Sequence, residues 1–364
     1  MDRELEKLFK DMEKKFGTGN YPHEFGEGIA PVDAIPTGLP SLDLITGVGG
    51  LPRGRIIEIY GPEGAGKTTI ALRVMAEAQR LAGQLPRMTY KPDGPVKPIT
   101  GRVGLLDVEH ALSPSLVELQ GVKIGAGSGF FFDQPMGGEE ALEKLFMMVE
   151  SNLFDVIVLD SVAGLTTEDE RTKDIGETVM AGVARLMSSN LKQLASVVNK
   201  SRTIVIFINQ IREKPAVMYG NPETTPGGRA LKFYSSMRLR ISRKEAITHG
   251  SNKVGHRMGI TINKNKVAPP FMTTDIDLYY VDVPEKGKTA GFDIFGDFIT
   301  TAKEIGVVEL AGSQYRYVDK TTGEIHKANG LVKFRALVEE TPGLYDMIMN
   351  EVLGGLGNDD EQTE

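Results

Sequence analysis

Short apolar runs alternate with longer amphipathic stretches along most of this chain. Residues 55–60, 103–107, 155–159 and 203–208 are apolar and partly β-branched, which predicts buried strands. Residues 68–82, 138–152 and 177–200 carry apolar side chains at helical spacing. In the last of these, Val179, Met180, Val183, Leu186, Met187, Leu191 and Leu194 share one side. Strands alternating with helices imply an α/β core, expected at about 40–280, with a mostly parallel sheet covered on both faces by helices. Residues 2–16 place Leu5, Leu8, Phe9, Met12 and Phe16 on one helical face, stopped by Gly17 and Gly19. That stripe must be buried, either on its own domain or on a neighbouring subunit. Residues 20–40 are rich in Gly and Pro and read as a linker. Residues 235–280 read as β-hairpins. From about 288 a separate small α/β segment is expected, with helical patterns at 293–304, 330–340 and 342–353. The division predicted is 1–40, 41–285, 286–355 and an acidic, disordered tail at 356–364.

Composition narrows the class. The chain has 364 residues, 40% of them hydrophobic, enough for a sizeable core. It has no cysteine, which excludes disulfides and cysteine metal sites and suits a reducing compartment. No apolar run approaches the roughly 18 residues of a membrane span, and the charged N-terminus lacks a signal-peptide core. A cytoplasmic protein with no membrane partner is expected. The net charge of −7 argues weakly against general nucleic-acid binding but leaves room for a local basic surface.

The chemistry centres on Gly61-Pro62-Glu63-Gly64-Ala65-Gly66-Lys67-Thr68-Thr69, which fits the phosphate-binding loop G-x-x-x-x-G-K-[ST]. Glycines let the backbone curl close enough to aim N–H groups at a polyphosphate. Lys67 is placed to reach the β- and γ-phosphates of ATP, and Thr68 to give a hydroxyl to Mg²⁺. A strand precedes the loop and a helix follows it, so the phosphates would sit at a helix N-terminus.

In parallel sheets ligands bind at the carboxyl ends of the strands, so chemistry is expected at the strand tips. Asp160, after the apolar 155–159 run, has the Walker-B position for Mg²⁺. Glu109, past the 103–107 run, either activates a water or is solvated. Asn209-Gln210 either senses the γ-phosphate or ends its strand. Two long connections follow strand tips. Residues 166–178 are charged. Residues 211–232 carry Arg212, Lys214, Arg229 and Lys232 with the flexible Gly227-Gly228 pair, and either bind a phosphate backbone or form a solvated loop diluted by Glu213 and Glu223. The five histidines lack ligand spacing, and His110 carries no metal signal. Residues 84–102 look like a surface excursion between helix and strand, and their sequence points to no particular function.

Together these stretches resemble the bacterial RecA-type recombinases. The likeness rests on Thr37-Gly38 through Leu51-Pro52-Arg53-Gly54-Arg55, Glu58 to Glu63, Asp107 to Leu112, Asp160-Ser161-Val162-Ala163, and Phe207 to Tyr234 with Asn221-Pro222-Glu223-Thr224-Thr225. The resemblance implies an ATP- and Mg²⁺-dependent enzyme that forms helical filaments on single-stranded DNA and exchanges strands with double-stranded DNA. Glu109 would be the catalytic glutamate and Gln210 the switch. Residues 168–178 and 210–229 would be DNA-binding loops, with Met180, Arg185, Arg212, Lys214, Gly227, Gly228 and Arg229 at or near DNA. Lys264 and Lys266 would reach a neighbour's nucleotide, and Phe233 would lie near it. The N-terminal helix would dock on the adjacent subunit, and the C-terminal segment would gather duplex DNA. Ser113 and Leu116 depart from the acidic and adenine-stacking aromatic residues usual there, Arg229 replaces a small polar residue, and residues 84–102 are longer than the norm. These departures suggest a divergent, phage- or plasmid-like member. The main alternative is a ring helicase or another DNA-dependent ATPase on the same core.

Overall fold

Side chains alternate between the two faces of a strand, and here both faces are apolar. Val156, Val158, Ile204, Ile206 and Ile208 enter one core, while Ile157, Leu159, Val205 and Phe207 enter a second on the other side. Strands buried on both faces suit a parallel sheet between helical layers. The computed structural model describes residues 3–16, 32–88, 96–172, 182–213 and 223–354.

In chain order, α1 (Arg3–Phe16) is followed by β1 (Asp33–Ile35), α2 (Pro40–Ile45), β2 (Leu51–Pro52), β3 (Ile56–Gly61), α3 (Lys67–Arg80) and β4 (Arg87–Met88). Next come β5 (Val103–Asp107), α4 (Pro114–Leu119), β6 (Phe130–Asp133), α5 (Gly138–Glu150), β7 (Val156–Asp160), a 3₁₀ turn at Val162–Gly164, α6 (Glu168–Thr172) and α7 (Gly182–Ser201). The core closes with β8 (Ile204–Gln210), β9 (Arg212–Glu213), β10 (Glu223–Thr224), α8 (Ala230–Tyr234), β11 (Met237–His249), β12 (Asn252–Asn265), β13 (Thr273–Tyr279) and β14 (Gly291–Phe292). The remaining elements are α9 (Ile294–Glu304), β15 (Val308–Ala311), β16 (Gln314–Val318), β17 (Ile325–Asn329), α10 (Leu331–Glu340) and α11 (Leu344–Gly354).

Nine strands form the main sheet in the order β14-β13-β12-β11-β3-β8-β7-β5-β6. From β11 to β6 all neighbours are parallel, and β12 to β14 add antiparallel strands. Helix α3 covers one face, and α5 and α7 cover the other. The fold class expected from the pattern is thus the one observed. Strand β3 lies well inside the sheet, between β8 and β11, and carries the phosphate loop at its carboxyl end. The C-terminal elements have their own core, built on Phe298, Tyr317, Phe334, Leu344 and Ile348. Its three antiparallel strands were not separately legible in the helical pattern.

Two expectations need correcting. Residues 33–40 are not linker. Strand β1 is fully buried and pairs with β2 and β4, because Asp33 meets the buried guanidinium of Arg53, which also binds Asp155 at 3.1 Å. Nor is 84–102 wholly a surface excursion. Ile99 is buried, and the Lys97 carbonyl accepts from Arg53 at 2.7 Å. The expected linker residues 17–31 and the tail from 355 onward lie outside the described residues.

Helix α2 joins the core to the C-terminal unit, and buried acids line it. Asp297 of α9 accepts from the Ser41 amide at 3.0 Å. Burial pushes the Asp43 carboxyl up to about 8, against the Thr37 hydrogen bonds and with Glu77 and Asp297 adding repulsion. The folded chain therefore holds a proton that the unfolded chain, with the ordinary value of 3.8, releases. This contribution is greatest below the unfolded value and is lost as pH rises through the folded one, with a slope of at most about 1.4 kcal/mol per pH unit. Asp43→Asn should flatten the decline in thermal stability between about pH 6 and pH 8. An unchanged melting-temperature profile would show that Asp43 is ionised in the folded chain.

Candidate nucleotide and DNA site

Strand β3 ends at Gly61, and the loop turns through Gly64 and Gly66 at φ 65° and 92°, left-handed values that disfavour a side chain. A Cβ on Gly66 would also meet the terminal methyl of Met258 of β12 at 2.2 Å, so that side chain would have to move. Helix α3 starts at Lys67 with no side-chain cap, so its first N–H groups need another partner. A phosphate satisfies that need and the helix dipole together. Lys67 is largely buried and donates from Nζ to the Pro62 carbonyl at 2.8 Å. Burial lowers its pKa, opposed by the charges of Asp160, Glu109 and Glu63.

The β7 tip faces the loop. Thr68 Oγ1 donates to Asp160 Oδ2 at 2.6 Å. Burial pushes the Asp160 carboxyl up to about 6; Thr68 and Lys67 oppose this, and Glu109 and Asp107 reinforce it. A carboxylate so disfavoured beside a hydroxyl is a fitting partner for a divalent cation. Among the described residues no group of three or more His, Cys, Asp or Glu is arranged to hold a metal. Mg²⁺ does not require such a group, because it keeps waters and binds one or two protein groups plus substrate phosphates.

Glu109 lies just past the β5 tip and is exposed. Ser161 Oγ and Gln210 Nε2 both donate to its Oε1, the latter at 3.1 Å. Asn209, next to Gln210, donates from Nδ2 to Glu58 Oε1 at 3.0 Å and to the Pro226 carbonyl at 3.1 Å. Glu58 is fully buried in β3 and is paired on its other oxygen with Arg238 at 2.5 Å. Glu58 and Ser161 carry the family likeness, yet the sequence assigns neither of them a role. A carboxylate inside the apolar run Ile56–Tyr60 was the available signal for the first, since a buried charge requires a partner.

The second connection is anchored at both ends. Strand β9 pairs with β10, setting Arg212 opposite Thr224. Glu223 grips Arg240 of β11 through two bonds, at 2.9 and 2.5 Å. Its charge is therefore neutralised by the core rather than diluting the cations of the loop. Gly227 and Gly228 take φ of 81° and 73°; a Cβ on Gly227 would meet Val162, in the turn after β7, at 2.9 Å, and one on Gly228 would meet Ala184, at the start of α7, at 3.0 Å. This contact sets exposed Arg229 beside the turn of α7 that carries exposed Arg185. Met180 and Lys214 lie outside the described residues.

Lys264 and Lys266 do not join this site. They lie at the far end of β12, donating to the Phe233 carbonyl at 3.0 and 3.3 Å. Burial, then repulsion by Lys266 and Arg238, brings the Lys264 ammonium down to about 8. Phe233 is itself strongly exposed. Ser113 caps α4 by accepting from the Leu116 amide, and Leu116 packs on the core.

Comparison with known proteins places these features in one lineage. Residues 3–89 and 95–283 match the family model described as the RecA N-terminal domain. The chain is 39% identical over 355 residues to protein RecA of Bacillus subtilis, covering 98% of this chain and 92% of that protein. It is 42% identical over 320 residues to protein RecA of Ruminococcus albus, covering 88% and 73%. A solved structure of the RadB recombinase aligns with a TM-score of 0.45 and 20% identity, covering 67% of this chain and 96% of that one.

Proposed function

The chain belongs to the RecA family of recombinases, and from that premise we propose how its own residues divide the work. It is an ATP-dependent DNA recombinase that uses ATP with Mg²⁺, binds single- and double-stranded DNA, and assembles as a helical filament. The observation that carries the residue-level reading is the bond from Gln210 to Glu109, with Asn209 beside it holding Pro226 at the root of the second loop. One strand tip thus touches the candidate catalytic group and the candidate DNA loop.

In this reading the loop Gly61–Thr69 and the N-terminus of α3 bind the phosphates, and Lys67 balances their charge. Thr68 and Asp160 would hold Mg²⁺, which supplies charge neutralisation at the phosphates. Glu109 orients the attacking water and takes its proton. Gln210 responds to the γ-phosphate and orders the loop carrying Arg212, Lys214, Gly227, Gly228 and Arg229, a nucleotide-driven order–disorder switch. Arg185 and Met180 add contacts from the first loop. Base pairing, rather than side chains, reads homology.

Assembly uses surfaces remote from this site. We place α1 against the next subunit, Lys264 and Lys266 at that neighbour's nucleotide, and the 286–355 unit on duplex DNA. Such head-to-tail contacts give filaments when the rotation does not close. No helix among the described residues is long and apolar enough to cross a membrane. We propose a cytoplasmic location, where ATP and DNA are both at hand.

The test is ATP hydrolysis at low salt with and without single-stranded DNA. Strong stimulation by DNA is expected. Equal rates with and without DNA would sink the coupling through Gln210, and a closed hexameric ring in electron micrographs would favour the helicase.

A further inference from the structure

Glu109 follows a strand rather than lying within one, and it is exposed, so its carboxylate needs something other than the sheet to aim it. What surrounds it is the turn after β7. Ser161 is fully buried, and its hydroxyl donates to Glu109 Oε1. Three residues on, Gly164 backs the stem of the same side chain: a Cβ built there would stand 3.3 Å from Glu109 Cγ. The Gly164 amide closes the turn by donating to the Ser161 carbonyl at 3.1 Å. The stem is therefore held from behind and one oxygen from the side.

We propose that the turn Ser161–Gly164 is the seat of the catalytic glutamate, with Ser161 the positioning residue that fixes Oε1 so that Oε2 is presented to the attacking water. Among the described residues, both donors to this carboxylate fall on Oε1 and none on Oε2. The two donors differ in kind. Gln210 sits on the strand tip that leads into the second loop and is partly exposed, whereas Ser161 is locked in the core. Ser161 thus sets the aim of Glu109 whether or not Gln210 is engaged elsewhere. The turn has a second contact. Val162, between Ser161 and Gly164, is the residue that a side chain at Gly227 would strike at 2.9 Å. The glutamate and the root of the second loop therefore both rest on one short turn.

This inference rests on the reading of Glu109 as the group that activates water, and the experiment separates the two. Steady-state hydrolysis, fluorescent-nucleotide binding and assembly on single-stranded DNA are measured for S161A, G164A, E109A and the double variant E109A/S161A. Misaiming a general base should lower kcat about 10- to 100-fold in S161A. KM and nucleotide affinity should stay within about twofold of the parent, because no phosphate contact is lost. G164A should lower kcat in the same selective way by displacing the stem, and it carries the test if S161A fails to fold. The double variant should be no slower than E109A, since there is then no carboxylate to aim. Wild-type kcat in both S161A and G164A, with E109A inactive, would overturn the role of the turn and leave Glu109 in place. A parallel loss of nucleotide affinity, or a further slowing of E109A by the second change, would make Ser161 a general support of the site instead. Full activity in E109A would remove the reading on which this inference stands.

Discussion

Glu109→Ala should lower ATP hydrolysis by about 10²- to 10⁴-fold while ATP binding and assembly on single-stranded DNA persist. The asymmetry follows from where the side chain sits. Glu109 is exposed past the β5 tip and lies outside the buried cores, so its removal should leave the fold intact. The phosphate-binding groups belong to a different segment, Gly61–Thr69, and Thr68 keeps its bond to Asp160 without it. Removing the carboxylate should also relieve some of the repulsion on Asp160, because Glu109 is one of the charges raising its pKa, while the larger effect of burial stays. The protein should then stay locked in its nucleotide-bound, DNA-bound state. Single-turnover hydrolysis with radiolabelled ATP, beside DNA binding by fluorescence anisotropy, measures both halves. Turnover at the parental rate would exclude Glu109 as the base.

Lys67→Ala should have the opposite profile, losing binding and turnover together. The ammonium lies on the Pro62 carbonyl, within the fields of Asp160, Glu109 and Glu63. Without it, incoming phosphates meet these carboxylates with no protein charge to balance them. Loss of one preorganised electrostatic contact to developing charge costs about 10²- to 10³-fold in kcat, and nucleotide affinity should fall as well. Folding should not suffer, since alanine is the better helix former at the start of α3. Calorimetric titration with ATP and Mg²⁺ checks the binding arm. Normal affinity and turnover would overturn the assignment of the loop.

The helices and strands of the core were legible because burial on both faces writes itself as short apolar runs, and helical burial as a stripe. The phosphate loop was legible because its backbone geometry requires glycine at particular spacings. One rule, that chemistry collects at the carboxyl ends of parallel strands, pointed to Asp160 and Glu109, but it left Glu109 open between activating water and being solvated. Contacts between distant segments were not legible in this way. Nothing local marks Asp33 as the partner of Arg53, so β1 read as linker. Ser161 is an unremarkable residue in sequence, and its significance comes from the strand beside it. Glu223 looked like a charge working against DNA until Arg240 was seen to take it. Lys264 and Lys266 were named through family likeness, and their position explains why pattern alone is silent: they face the carbonyls that end α8, away from the protomer's own phosphate loop.

The interior position of β3 has a consequence for how this protein comes into being. Its two neighbours arrive late in the chain: β8 begins at Ile204, and β11 begins at Met237. Arg238, which pairs with the buried Glu58, is 180 residues further along. A ribosome that has released only the first half of the protein has made the phosphate loop but not the strands that hold it in shape. Contacts this remote in sequence slow folding, because the chain must close a long loop before they form. Nascent chains truncated before β11 should therefore fail to retain nucleotide, and the onset of ATP binding during synthesis would time the closure of the sheet.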